Sequence, residues 1–166
     1  MTHAYLDYAA TTPLDPRVAA GMAALEGPDG IFANPASLHP HGRRAAAVVE
    51  SAQEKVLETL GDRDFQVIWT SGATEADNLA ILGLARAVAQ RGGGRRRILV
   101  TATEHSAVLA AADAAAREAG MQVERLPVAA DGQLTPATLE AALAPDVALV
   151  SLAPVNNETG VIQPIE

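Results

Sequence analysis

Cysteine is absent from the 166 residues, which excludes a disulfide framework and any thiolate metal site. Lysine is nearly absent too: Lys55 stands alone against eleven arginines. Aromatic residues make up 3% of a chain that is 49% hydrophobic, so the expected core is aliphatic, built from Ala, Leu and Val. No apolar run reaches the roughly 18 residues that span a bilayer. The opening "MTHAYLDYAATTP" lacks the basic-then-apolar order of a secretory signal, which leaves the cytoplasm as the default compartment. Positive charge is also short. A formal net charge of −8 argues against nucleic acid as a partner, because such binding needs a basic face. The local cluster "RGGGRRR" (Arg91–Arg97) reads as a solvated, Gly-rich loop ahead of a strand.

What is present is enough for one ordinary domain with a real core. Asp15-Pro16 is a helix start, with Asp as N-cap and Pro in the first turn, and "EGPDG" ends that short helix. "IFANPASLHPHG" reads as an irregular loop. From about Gly42 apolar residues recur at helical spacing as far as Gly61, a C-capping glycine. A regular alternation follows. The strands expected are "FQVIWT", "RRILVTA", "MQVERLPV" and "DVALVSLAPV". Between them lie "SGATEADNLAILGLARAVAQ", "TEHSAVLAAADAAAREAG" and "TPATLEAALA", each a turn and a helix. The second ends at Gly120; the third is capped by Thr135 with Pro136 behind it. Strands alternating with helices through short turns predict an α/β fold, a mostly parallel sheet with crossover helices on both faces.

In such sheets ligands collect beyond the C-terminal ends of the strands, and three polar segments fall there: "TSGAT", "TEH" and "NNETG". In "SGAT", Gly72 and Ala73 allow close approach, and the first helical amides at Ala73, Thr74 and Glu75 have no intrahelical partner. Two readings stand side by side. The turn is a phosphate seat, with the Ser71 or Thr74 hydroxyl adding a bond, or Ser71 or Thr74 simply caps the helix. It is neither a P-loop nor a dinucleotide fingerprint. His105 offers an aromatic face or a proton carrier, against the plainer role of a surface histidine. Asn156 and Asn157 could fix a ligand's polar edge or merely make a turn. His39 and His41 sit two apart in a Pro-rich loop without further ligands at metal spacing, so no metal site is expected. Glu75 and Glu104 complement helix N-termini.

In their order, "YLDYAATTPLDPRV", "NPASLHPHG", "TSGATEADNLAI", "TATEHSAVL" and "VNNETGVIQPI" resemble the N-terminal part of the cysteine desulfurases. These are class V members of the fold-type I enzymes that use pyridoxal 5′-phosphate (PLP). The resemblance runs from about Tyr5 to the end of the chain. It implies release of sulfur from L-cysteine, giving L-alanine and a protein-bound persulfide. That sulfur would pass to an acceptor protein such as an iron–sulfur scaffold, and the enzyme would be a homodimer. By motif, Ala73 and Thr74 look like the seat of the cofactor phosphate. His105 is similar to the catalytic histidine that stacks on the pyridine ring and assists proton transfer. Asn157 resembles the residue bonded to the cofactor's phenolic oxygen or the substrate, and Asn34 of "NPAS" would line the substrate site.

The departures are as informative. PLP chemistry needs a lysine amine as covalent anchor. In the family it lies in a Ser-Gly-His-Lys type motif that has no match here, and Lys55, in "AQEKVLE", belongs to a solvated helix face. The aspartate partnering the ring nitrogen and the sulfur-accepting cysteine have no counterpart either. Pro154 stands where relatives often carry a larger polar or aromatic residue. The expectation is thus a front portion of a larger enzyme, inactive alone. Residues 1–14 would pack with a small domain, and residues 15–166 would form the first part of the PLP-binding domain. Exposed apolar edges would favour dimers or a complementing chain. Two alternatives stay open: another class V enzyme, such as a selenocysteine lyase or an aminotransferase acting on small amino acids, and a non-catalytic fragment serving as a binding or assembly module.

Overall fold

The computed structural model describes residues 3–27, 29–61 and 64–165. They form two compact units, Met1–Trp69 and Thr70–Glu166.

In the first unit, residues 3–14 carry no helix or strand. The Tyr5 hydroxyl donates to the Asp7 carbonyl (2.8 Å), and its ring meets Tyr8 edge-on. Helix α1 (Pro16–Leu25) begins as its sequence requires, with the Asp15 carboxylate accepting from the Arg17 amide and Pro16 in the first turn. No residue of α1 is buried; Val18, Met22 and Leu25 are among the exposed apolar side chains. Helix α2 (Pro40–Leu60) ends at Gly61 in the left-handed conformation (φ 72°), which glycine adopts without a Cβ penalty. Its start corrects the sequence reading. The helix opens at Pro40 rather than near Gly42, because the His39 imidazole acts as N-cap, its Nδ1 accepting from the Gly42 amide (3.1 Å). The pair His39 and His41, expected in a plain loop, thus straddles a helix start. Lys55 is exposed on α2, as expected.

The expected strand "FQVIWT" does not form. Residues 66–70 are assigned no secondary structure, and Phe65, Ile68 and Trp69 are exposed. A strand is held by the backbone groups of a neighbour, and among the described residues none pairs with this segment. The high β-propensity of Phe, Val, Ile and Trp cannot substitute for that partner.

The second unit contains α3 (Ala73–Arg91), β1 (Arg97–Thr101), α4 (Ser106–Ala119), β2 (Gln122–Leu126), α5 (Pro136–Ala142) and β3 (Val147–Ser151). The strands form one parallel sheet in the order β2-β1-β3. Alternate residues of the central strand face opposite layers. Ile98 and Val100 pack with Ile81 and Ala85 of α3 and Val108, Ala111, Ala112 and Ala115 of α4. Leu99 packs on the other side with Leu126, Leu134 and Ala142. Burying each Ile or Leu here contributes about 1.5–3 kcal/mol, and the alanines let α3 and α4 approach closely. Gly120 (φ 65°) ends α4, and the Thr135 hydroxyl caps α5 ahead of Pro136. The α/β class with crossover helices on both faces is therefore the observed one.

A second correction concerns "RGGGRRR". Arg97 is part of β1, as the expected strand "RRILVTA" has it, but it is not solvated: its guanidinium, largely shielded, bonds Glu124 (2.7 Å), Asp146 (3.2 Å) and the Ala142 carbonyl (2.8 Å). It closes the N-terminal edge of the sheet, where three carbonyl or carboxylate acceptors meet its fork of donors. Among the described residues, no helix is long and apolar enough to cross a membrane.

Candidate active site

Connectivity sets the site's position. Strand β1 leaves the sheet at Thr101 and turns through residues 102–105 into α4, so the start of α4 sits at the C-terminal edge. Helix α3 reaches β1 through the short segment 92–96, which puts its end at the N-terminal edge and its start at the opposite one. Arg86 of α3 and Glu118 of α4 pair at 2.6 Å, at nearly equal chain distances from Ala73 and Ser106. The two helices therefore run parallel, with their N-termini level. Their dipoles both point positive ends toward this edge.

At the start of α3, Gly72 is the N-cap residue and no side chain caps the helix. This decides between the two capping candidates: neither Ser71 nor Thr74 does so. The Ser71 amide (2.7 Å) and hydroxyl (2.6 Å) both donate to the Glu75 carboxylate. These bonds, the hydroxyl's first, hold the Glu75 carboxyl below its ordinary range. Ser71 is consequently spoken for, and Thr74 is the hydroxyl that remains for a ligand. A Cβ added at Gly72 would meet nothing within 4 Å, so packing within the chain does not demand glycine there. Ser71 to Ala76 are exposed.

At the start of α4 the imidazole of His105 is the N-cap, its Nδ1 accepting from the Ala107 amide (3.1 Å). With Nδ1 an acceptor, the proton of the neutral ring is assigned to Nε2. The backbone thus orients the ring through Nδ1 and does not engage Nε2–H in that bond. The ring is exposed.

After β3 the chain makes a tight loop. Val155 and Ile162 form an antiparallel bridge, the Asn156 amide donates to the Val161 carbonyl (2.9 Å) and the Gly160 amide to the Asn156 carbonyl (2.9 Å). Gly160 takes φ 72°, an αL turn that glycine tolerates. The two asparagines then divide the work. Asn156 Nδ2 donates to the Thr103 carbonyl (2.9 Å), while its Oδ1 accepts from the Glu158 and Thr159 amides (3.0 and 2.8 Å) and from the Thr159 hydroxyl (3.0 Å). Asn157, one residue on, is exposed.

Together these segments enclose a cavity of about 370 Å³, lined by Ala102, Thr103, Glu104, His105, Asn157 and Thr159 among others. The structure thus brings His105 and Asn157 into one cavity. Ala73 and Thr74 lie on the same edge of the sheet but outside that lining. Asn34 belongs to the other unit, exposed, with its Oδ1 accepting from the Ala36 amide (2.8 Å) in an Asx turn. Two residues were undervalued by sequence reasoning. Asn156 ties the loop down, and Glu104 is only 8% exposed and accepts from the Ser151 hydroxyl (3.2 Å), more than complementing a helix start. The burial of Glu104 has no local signature. Among the described residues, no group of three or more His, Asp or Glu is placed to hold a metal ion.

A larger, more open hollow of about 530 Å³ lies among Gln133, Pro154, Val155, Ile162, Gln163, Pro164 and Ile165. Its lining offers aliphatic side chains and carboxamides rather than titratable groups, so the chemistry concentrates in the His105 cavity.

Comparison with known proteins places this geometry. Residues 4–166 match the family described as aminotransferase class V. The cysteine desulfurase IscS of Ectopseudomonas mendocina is 47% identical over 162 residues, covering 97% of this chain and 39% of that protein. The IscS of Shewanella piezotolerans is 45% identical over 163 residues, 98% of this chain and 39% of the other. Among solved structures, a NifS-like protein superposes with a TM-score of 0.87 at 35% identity, over 95% of this chain and 42% of that one. A structure of SspA in complex with cysteine does so with a TM-score of 0.86 at 33% identity, over 98% and 45%. The chain thus spans about two fifths of the length of the curated relatives it matches. A parallel sheet whose β–α turns gather an imidazole and a carboxamide at one edge, together with a family match over nearly every residue, shows that this chain belongs to the aminotransferase class-V family.

Proposed function

We propose that this chain is the N-terminal portion of a PLP-dependent cysteine desulfurase, and that it is inactive alone. The observation that carries the reading is the cavity shared by His105 and Asn157 at the C-terminal edge, with the side-chain-free start of α3 on the same edge.

The residues present suit a phosphorylated, planar heterocycle. The α3 start offers uncapped amides, a positive dipole end, an open approach at Gly72 and the Thr74 hydroxyl. Ala73 and Thr74 would hold the phosphate. His105 would lie against the ring, its orientation already set by the Ala107 amide, with Nε2 available to hold or pass a proton. Asn157 would bond an oxygen on the ring or the substrate, and Asn34 would contribute on the substrate side. When bound, PLP supplies the electron sink that makes bonds around the substrate's α-carbon cleavable.

In the complete protein the substrate is L-cysteine. Its Cβ–S bond breaks, the sulfur forms an S–S bond with an enzyme thiol, and Cβ gains a proton to leave L-alanine. The persulfide then serves an acceptor such as an iron–sulfur scaffold protein. Neither the anchoring lysine nor the accepting thiol is in this chain: Lys55 is on an exposed helix face, and cysteine is absent. Residues 1–14 would pack with a small domain and residues 15–166 would be the first part of the cofactor domain. The exposed Leu14, Val18, Met22 and Leu25 support a homodimer or a complementing chain, and the cytoplasm is the compartment proposed.

The test is titration of the purified chain with PLP, followed by absorbance and by competition with inorganic phosphate. Weak, phosphate-competed binding with the free cofactor's spectrum is expected. A lysine-bound spectrum, or binding unaffected by a bulky residue at Gly72, would overturn the reading.

A further inference from the structure

We propose that Glu104 is a positioning residue of this site: its buried carboxylate, bonded to Ser151, locks the turn that carries His105 onto the end of β3. The proposal rests on the reading of the His105 cavity as the cofactor site.

Three observations converge on it. Glu104 lines the cavity, yet it is nine-tenths buried, and a carboxylate in that position stays only where its bonds offset lost hydration. Its partner, Ser151, is the last residue of β3 and lies 47 positions away. An ionised carboxylate can only accept, so the Ser151 hydroxyl must donate, and the bond has a fixed direction. The neighbouring Thr103 is held from the other side, through its carbonyl, by Asn156. The segment Thr103–Glu104–His105 is therefore tied at two successive residues to two points on the chain leaving β3.

The consequence falls on His105. Its ring is oriented by the Ala107 amide, which fixes it relative to α4 only. Where α4 and its cap stand relative to Asn157 depends on how β1's exit is fastened to β3's exit. Glu104 with Ser151 and Asn156 with Thr103 are the fasteners, and of these only Glu104 adds a charged acceptor. Losing it leaves the β1–α4 turn tied by the Asn156–Thr103 bond alone and loosens the half of the turn that carries His105, and a shift of about 1 Å there is enough to disable a preorganised site.

The experiment compares E104A, E104Q and S151A in the full 166-residue chain by two readouts: PLP affinity, and the His105 ring resonance in 1H–13C NMR spectra. E104A and S151A are each expected to weaken PLP binding about tenfold, the equivalent of one hydrogen bond to a charged group. Both should move or broaden the His105 ring signal while the methyl signals of Leu134, in the cluster on the other face of the sheet, stay in place. E104A/S151A should be no weaker than either single variant, because both remove one interaction. E104Q, whose carbonyl oxygen still accepts from Ser151, should restore the ring signal. Should E104A fail to fold, S151A carries the test. An unmoved His105 signal in S151A, additive losses, or no rescue by E104Q would overturn the proposal. If the unsubstituted chain binds no PLP but S151A still moves the His105 signal, the cofactor reading fails and the positioning role stands.

Discussion

Asn156 and Thr103 are joined across 53 positions by a 2.9 Å hydrogen bond from the Asn156 carboxamide to the Thr103 carbonyl. This one contact fixes the loop after β3 to the turn after β1, and it separates the roles of two adjacent asparagines. Asn156 commits its side-chain nitrogen and oxygen to bonds within the protein; Asn157 is exposed and lines the cavity.

Replacement of the two should therefore have opposite signatures. N156A removes the tie to Thr103 and the acceptor of the 158–159 amides, and a loss of about 1–3 kcal/mol in urea denaturation is expected, the cost of stranded polar groups. N157A should stay within about 0.5 kcal/mol of the unsubstituted chain, as surface changes do, yet lose affinity for PLP. Equal destabilisation by both would show that Asn157 is structural as well.

How far the fold was legible follows the range of the forces involved. Asp15-Pro16, Thr135-Pro136, Gly61 and Gly120 announce helix ends because caps act over three or four residues, and each stands where its motif placed it. The alternation of strand and helix from Arg97 onward is written in period and turn chemistry. What depends on a distant partner was invisible. "FQVIWT" has the composition of a strand but no neighbour among the described residues to pair with. Arg97 reads as one of a basic run until Asp146 and Glu124 come beside it. The site shows the same division: "TEH" and "NNETG" mark the places, whereas Asn156 and Glu104 acquire their tasks only through residues about fifty positions away.

The core makes a plainer prediction. Leu99 is fully buried at the centre of β1 and packs with Leu126, Leu134 and Ala142. Leu99→Ala leaves a cavity on the α5 side and should cost about 2–5 kcal/mol, read as a lower urea midpoint. Ala112, on the opposite face, has no exposed surface, so a leucine there must wedge α4 away from the sheet and should cost about 1–3 kcal/mol.

The Ser71–Glu75 pairing gives a pH dependence with a defined sign. The folded chain holds the Glu75 carboxyl below its ordinary value of 4.5 through two bonds from Ser71. The stabilisation is full above that ordinary value and is lost as pH falls through the lowered one. Fraying of the first turn of α3 should therefore set in only below about pH 4.5, visible as faster amide exchange at Ala76 and Asp77. Because Glu75 places a negative charge beside the proposed phosphate seat, Glu75→Gln should also tighten phosphate binding; weaker binding would mean that the anion is held elsewhere.

The unpaired stretch before α3 yields the last test. Trp69 is the chain's sole tryptophan and is about half exposed (54%), beside Phe65 and Ile68, which are exposed to a similar degree. In this chain its emission should be that of a hydrated indole, readily quenched by acrylamide, and the amides of residues 66–69 should exchange orders of magnitude faster than those of Ile98–Val100, since no ladder protects them. A chain that completes the sheet would give those amides partners and cover the three side chains. If the chain is the N-terminal portion proposed above, mixing with a separately produced C-terminal remainder should shift the emission to the blue and slow exchange at residues 66–69 together. A shift without protection would mean that the partner covers the side chains without adding a strand; neither change would remove pairing as the reason this apolar run stays open.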